Sequence, residues 1–493
     1  MTNSPEFSPP AVAAPPAPDE GSHALLHRGL GVGSIVFMVV AAAAPLGVMV
    51  ANTPIITGIS GSAGAPLFFL IATVVLVFFS VGFTAMSKFV PNAGAFYSYI
   101  QAGLGRHVGS GAAALALVSY GVLLIGVNGY LGVATSNVVS AHFHVDIQWW
   151  IYSFAWLLII GVLGYRDIEL SSKVLGVLLV VEIAVVVVLD IAIVVKGGES
   201  GLGVEPLSFS TFTSGTPTLG LMFAFFCFFG FEATAVFRNE AKDPDRTVPR
   251  ATYIAVLSIG IFYAISSWAV MEGAGSDSVV EKAKADPENL VLDLAASYGA
   301  PILKDVMQVL LVTSTFACVL SFHNVITRYQ FTLAGKGMLP KRLADVSEKH
   351  LAPSTSSLIA SAISLAAMAL VTALGWDPIT SIYTWLSGAA TLGLIGLMVL
   401  TNLAVIFYFR TKASAPTVWH SLLAPAMSLI SLTIILALVI ANFSLLVGDK
   451  TTAAVVGGLI AVAFAVGLAG AEVMKRQRPD RYAELAADTV RRP

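Results

Sequence analysis

Charge is scarce in this chain. Only 11% of its 493 residues are Asp, Glu, Lys or Arg, against roughly 25% in a soluble globular domain. That is too little to cover a water-exposed surface. The formal net charge of -2 leaves no basic excess for binding nucleic acid. There are two cysteines, Cys227 and Cys318. Both fall in apolar stretches, which gives no disulfide framework and no metal-ligand spacing. A Gly-x-x-x-x-Gly-Lys-Ser/Thr phosphate loop is missing, so nothing points to ATP-driven pumping. Clustered His, Cys or paired carboxylates at a common depth are also missing, which argues against a membrane enzyme, and no cofactor is called for. The first 27 residues are polar and rich in Pro and Ala, without a basic segment ahead of an apolar core. They read as a disordered cytoplasmic tail rather than a signal peptide.

What the chain has is apolar residues, 56% of the total. They come in runs of about 20, long enough at 1.5 Å per residue to cross a ~30 Å hydrocarbon core. The spacing predicts an all-α polytopic membrane protein with twelve spans. These fall near 31–57, 65–87, 110–138, 149–165, 173–195 and 216–237, then 252–272, 303–325, 355–374, 380–409, 420–446 and 452–474. With both termini cytoplasmic, only Lys196, Lys282, Lys284, Lys304 and Lys450 lie outside, leaving 22 of the 27 Lys and Arg inside. The opposite orientation would reverse that ratio, so the positive-inside rule sets the N-terminus in the cytoplasm of a plasma-membrane protein. The acidic exterior loop near 273–302 is expected to hold a short surface helix.

Two spans carry features that lipid does not tolerate without a reason. In span 1, Ala44-Pro45-Leu46-Gly47 removes a backbone donor and relaxes the chain near mid-depth. A break there exposes amide N–H groups at a half-helix start, which attracts a carboxylate. In span 6, Gly230 lies among Phe225, Phe226, Phe228, Phe229 and Phe231. An unwound turn at this point presents carbonyls to a substrate ammonium. Phe226, one helical turn earlier, is the expected gate, and Phe229, Gly230 and Phe231 complete the expected half-site. Glu232 follows, and either carries a coupled proton or caps the neighbouring loops. Spans 1 and 6 lie five apart, as expected of inverted five-helix repeats.

Other polar residues are candidates by depth. Glu182 in span 5 reads as a proton carrier or cation ligand. Asp190, eight residues on, is near enough to the outer boundary to reach water. His323 in span 8 reads as a structural histidine. Asn128 in span 3, eight residues after Tyr120, either touches substrate or bonds a neighbouring helix.

Gly230-Phe-Glu-Ala followed by Asn239-Glu-Ala-Lys-Asp-Pro-Asp-Arg-Thr-Val-Pro-Arg250 resembles the sixth helix and following loop of amino acid–polyamine–organocation (APC) superfamily permeases. Pro91-Asn-Ala-Gly-Ala-Phe-Tyr-Ser-Tyr99 with Gly103-Leu-Gly105 is a second match, and Arg328 to Pro340 a third. The resemblance covers about residues 28 to 475. It implies the leucine-transporter fold, with five-helix repeats over 28–200 and 215–410, two peripheral helices over 418–474 and a cytoplasmic tail over 475–493. It also implies alternating access around a central site for an amino acid or amine. By position, Phe226 and Glu232 match the family's gating aromatic and its span 6 glutamate. Tyr120 and Asn128 fit by spacing the polar positions of span 3 near substrate.

Two departures stand out. Ala44-Pro45-Leu46-Gly47 replaces the family's common Gly-Ser-Gly or Gly-Ala-Gly triad. Glu182 stands where some cationic-amino-acid relatives carry a lysine in place of a sodium ion. The expected activity is secondary import of an amino acid, neutral and bulky rather than polyamine, coupled to a proton, to sodium or to exchange. A polyamine or organic-amine permease and a transporter-like amino-acid sensor are the alternatives.

Overall fold

In the computed structural model, residues 30–90, 95–166, 172–346, 353–411 and 416–485 are described. The opening of the second motif, Pro91 to Gly94, lies outside them, as do the expected disordered tail and the last eight residues. Among the described residues every regular element is helical, and the only β pairing is an isolated parallel bridge between Leu30 and Ala241.

The expected twelve-span, all-α fold is the one observed. Ten helices are long and apolar enough to cross a membrane: Val32–Ser60, Ala65–Ser87, Arg106–Phe143, Gly176–Lys196, Pro244–Ala274, Pro301–Gly335, Ser354–Ala373, Pro378–Arg410, Trp419–Val447 and Lys450–Gln477. The shorter Trp149–Tyr165 is span 4, and Pro217–Phe226 opens span 6. Spans 3 (Arg106–Phe143) and 8 (Pro301–Gly335) run past their expected ends, since polar residues such as Arg106, His142 and Arg328 do not stop a helix that leaves the bilayer. The acidic loop holds two short helices, Val279–Ala285 and Leu290–Leu294.

Packing shows the repeat. Span 1 packs on spans 5 and 7, and span 6 packs on spans 10 and 2. Adding five to each number, modulo ten, turns the first set into the second. Of the five pairs that map onto themselves, 1–6, 2–7, 3–8 and 4–9 are in contact. A shift of five passes reverses each helix across the bilayer, so the two repeats are inverted. Spans 11 and 12 lie outside this pattern, against spans 2 and 10 and against spans 3 and 10.

Lipid tails are as apolar as Leu, so helices in a bilayer associate through close fit rather than by hiding oily surface. The helix Ala95–Leu104, between spans 2 and 3, shows this against span 10. A Cβ on Gly103 would lie 2.2 Å from the Ala404 carbonyl oxygen, in contact with backbone that cannot turn away. We expect Gly103→Ala to destabilise the fold by about 1–3 kcal/mol. A clear fall in the detergent melting temperature checks this, and an unchanged one refutes it. Outward-facing Val180, Val188, Ile191 and Val195 on span 5 are exposed, as a lipid-facing helix requires.

Beyond span 12, Pro479–Glu484 is helical. Tyr482 shares a 2.7 Å hydrogen bond with His107, and buried Gln101 donates to the Leu485 carbonyl.

Candidate functional site

The break in span 1 falls at Ala43–Ala44. The helix Val32–Ala42 stops, Ala44 adopts a left-handed conformation (φ 47), and the helix restarts at Pro45. The residue before a proline is kept out of the right-handed helical region, so Ala44 takes the bend. Gly47 is ordinary helix (φ -59), correcting the expectation that it relaxes the chain. A non-glycine residue in this conformation stores roughly 1–3 kcal/mol of strain.

The interruption leaves backbone groups open. The Ala43 carbonyl accepts from the Tyr263 hydroxyl at 3.2 Å. Among the described residues, no backbone N–H donates to the Ala42 carbonyl and no carbonyl accepts the Gly47 N–H. Both residues line a central cavity. The restarted helix continues through a wider π-helical turn over Val48–Asn52.

Span 6 is interrupted from Cys227 to Glu232. Gly230 has φ 106, a conformation that side-chain-bearing residues avoid. A run of tight i to i+3 bonds holds most of this segment, but among the described residues no backbone N–H donates to the Cys227 or Phe229 carbonyl. These two residues line the same cavity.

Glu232 fastens the second break. Its Oε1 accepts from the Tyr120 hydroxyl at 2.5 Å and its Oε2 from the Gly230 N–H at 2.9 Å. The carboxylate therefore ties span 3 to the unwound turn.

The cavity has about 500 Å³ of empty space, its open mouth included. Ala44 and Gly47 from the first break and Phe226 and Phe229 from the second are in its walls. Phe226 packs edge-on against Phe229 at 6.0 Å and Tyr383 at 6.2 Å. The remaining expected contacts lie elsewhere. Pro45 and Leu46 are buried behind the break. Tyr120 spends its hydroxyl on Glu232, and the Asn128 amide donates to the Ser153 carbonyl at 3.2 Å, joining spans 3 and 4. Gly230 shapes the turn without lining the space. Phe231 points into an aromatic cluster with Phe79 and Phe83 of span 2.

Sequence reasoning missed several wall residues. Tyr383 donates to Asn52 Oδ1 at 2.7 Å, joining span 10 to the restarted half of span 1. Tyr130 stacks near Tyr383 at 5.1 Å, and Leu123, Val127, Thr315, Cys318 and Phe322 form the wall contributed by spans 3 and 8. None of the described wall residues is charged. The only hint in the sequence is that Asn52 and Thr315 are polar residues inside apolar spans.

Glu182 lies outside this cavity, behind the span 1 break. It is 5% exposed, accepts from the Ser314 hydroxyl at 2.8 Å, and faces the Leu46 N–H. It thus meets spans 1 and 8 from span 5. Asp190, expected to reach water, is buried and accepts from Ser266 of span 7 at 2.6 Å. His323 is buried against Ser357 of span 9 at 3.0 Å. Among the described residues, no three His, Cys, Asp or Glu side chains gather into a metal site.

Comparison with known proteins gives this geometry a context. The family model described as amino acid permease matches residues 34–483. An uncharacterised transporter of Mycobacterium tuberculosis is 25% identical over 412 residues, 79% of this chain and 81% of the relative. The branched-chain amino acid permease BcaP of Bacillus subtilis is 24% identical over 352 residues, 66% of this chain and 71% of the relative. The D-serine/D-alanine/glycine transporter of Escherichia coli is 24% identical over 239 residues, 45% of this chain and 49% of the relative.

Proposed function

Because the chain belongs to the amino acid permease family, a family of transporters and not of enzymes, we propose that it imports small to medium neutral amino acids by alternating access. The observation that carries this reading is the cavity between two broken helices. One wall offers the Gly47 N–H at a half-helix start, and the others offer the carbonyls of Ala42, Cys227 and Phe229. An α-carboxylate suits the first and an α-ammonium the second.

The uncharged remainder selects the side chain. Leu123, Val127 and Phe322 favour an apolar group. A polyamine carries several ammonium groups that would meet no carboxylate here, so an organic-amine permease is disfavoured. Relatives named for branched-chain amino acids, and for D-serine, D-alanine and glycine, point to the same zwitterionic class.

The two five-helix halves, 28–200 and 215–410, rock about this site, with both termini cytoplasmic in the plasma membrane. We assign coupling to a proton on Glu182. Its carboxylate is buried at the junction of spans 1, 5 and 8, directly behind the span 1 break. Glu232 is the clasp instead, since it ties the Tyr120 hydroxyl of span 3 to the Gly230 N–H of the unwound turn in its own span. A ligand drives the cycle only through its differential affinity for the two states.

The chain's two cysteines both line the cavity, which gives a direct test. The purified protein is treated with N-ethylmaleimide, and modification of Cys227 and Cys318 is read by mass spectrometry. L-Valine at ten times its dissociation constant should slow modification about ten-fold. If neither L-valine, L-alanine nor glycine protects either thiol, the assignment of the cavity as the substrate site is wrong.

A further inference from the structure

A second, smaller cavity adjoins the central one, and Tyr130 is in the walls of both. Its polar wall comes from three elements. Asn137 is on span 3, Gln308 on span 8, and Glu288 in the loop between spans 7 and 8. Asn137 Nδ2 donates to Glu288 Oε2 at 3.1 Å. Among the described residues, nothing donates to the other carboxylate oxygen and no cation pairs with Glu288. Gln308 is 6% exposed, and its amide has no hydrogen-bond partner among the described residues. The Gln308 amide is open to the cavity, and the half-buried Glu288 carboxylate beside it has no counter-cation among the described residues, which is unfavourable for a charge partly removed from water. An ammonium group would pair with the carboxylate and donate to the Gln308 oxygen.

We propose that this cavity is an outer station that binds the ammonium of an incoming amino acid on Glu288 and Gln308 before Tyr130 admits it to the central cavity. The inference rests on the orientation and substrate class proposed above. The station rejects acidic amino acids and weakens in high salt, because a charge at a rim acts mainly on the association rate. Burial first, then the nearby carboxylates Asp286 of the loop and Asp377 before span 10, hold the Glu288 carboxyl above the usual range, while the Asn137 amide pulls it down. Glu288 therefore loses its charge at a higher pH than a free glutamate, and KM rises as the external pH falls toward the acid range. Tyr130 of span 3 is the remaining titratable group facing it.

The test measures initial rates of labelled L-valine uptake in proteoliposomes for the wild type, Glu288→Gln and Gln308→Leu, alongside Cys318 protection by L-valine. We expect KM to rise about five-fold in each variant, with the maximal rate and Cys318 protection unchanged. The gap between Glu288→Gln and wild type should narrow in 0.5 M (about a 4 Å screening length) salt. Unchanged KM in both variants overturns the station. So does a KM rise matched by an equal loss of Cys318 protection, which would place the effect in the central cavity. Should Glu288→Gln fail to fold, Gln308→Leu decides alone. A wild type showing neither uptake nor protection by L-valine, L-alanine or glycine overturns the transport reading, and the station with it.

Discussion

Gly230→Leu is expected to abolish uptake, at least ~100-fold, while the protein still inserts and purifies as a folded species. Two separate costs lead there. The backbone at Gly230 has φ 106, and forcing a side-chain-bearing residue into such a region costs roughly 1–3 kcal/mol. The Gly230 N–H also sits 2.9 Å from Glu232 Oε2, so a turn that relaxes to escape the strain releases the clasp on Tyr120. A Cβ here would lie 3.5 Å from the Ala42 Cβ, an ordinary contact. The remaining atoms of a leucine would extend past that contact toward the end of the first half of span 1. Gly230→Ala separates the two costs, since it brings the strain without the added bulk. At ~1.4 kcal/mol per decade, it should lose about ten-fold. Uptake by both variants, with membrane quantity and melting temperature as controls, checks the ordering. Normal uptake by Gly230→Leu would show that the irregular turn is not needed.

Glu182→Gln is expected to uncouple transport from the proton gradient. The substitution keeps the shape and the 2.8 Å bond with Ser314 but removes the group proposed to take up and release a proton. If one proton moves per substrate, an imposed gradient of one pH unit supports accumulation of up to about ten-fold. The variant should equilibrate substrate without concentrating it, while exchange of internal for external substrate continues. Preserved accumulation with the wild-type dependence on the gradient would make Glu182 structural. A sodium-dependent wild type would refute proton coupling from the other side.

How much of this was legible in the chain depends on the distance over which each feature is decided. Hydrophobic run length decides where a helix crosses lipid, so all twelve spans could be read directly. Pro45 and Gly230 announced their breaks, because backbone chemistry at a single residue is local. The detailed placement was not local. Pro45 pushes its predecessor out of the helical region, so the bend sits on Ala44 and Gly47 stays helical. Phe231 lies one residue from Gly230 yet faces span 2, since helical periodicity loses its phase across an unwound turn. Tyr120 was placed near substrate by spacing, but its hydroxyl belongs to Glu232, 112 residues away. For the Asn52–Tyr383 pair, separated by 331 residues, the polarity of Asn52 is the one local hint, and nothing local names its partner. Tertiary contact alone creates the pair.

The central claim is that two broken helices form a site for a neutral amino acid. The most direct test is uptake of labelled L-valine, L-isoleucine, L-alanine, glycine, L-glutamate and putrescine into proteoliposomes, with and without an inward proton gradient. Saturable uptake of one or more of the neutral amino acids, concentrated by the gradient, is expected, with L-glutamate and putrescine left outside. Uptake of putrescine alone, or of none of the six, would contradict it.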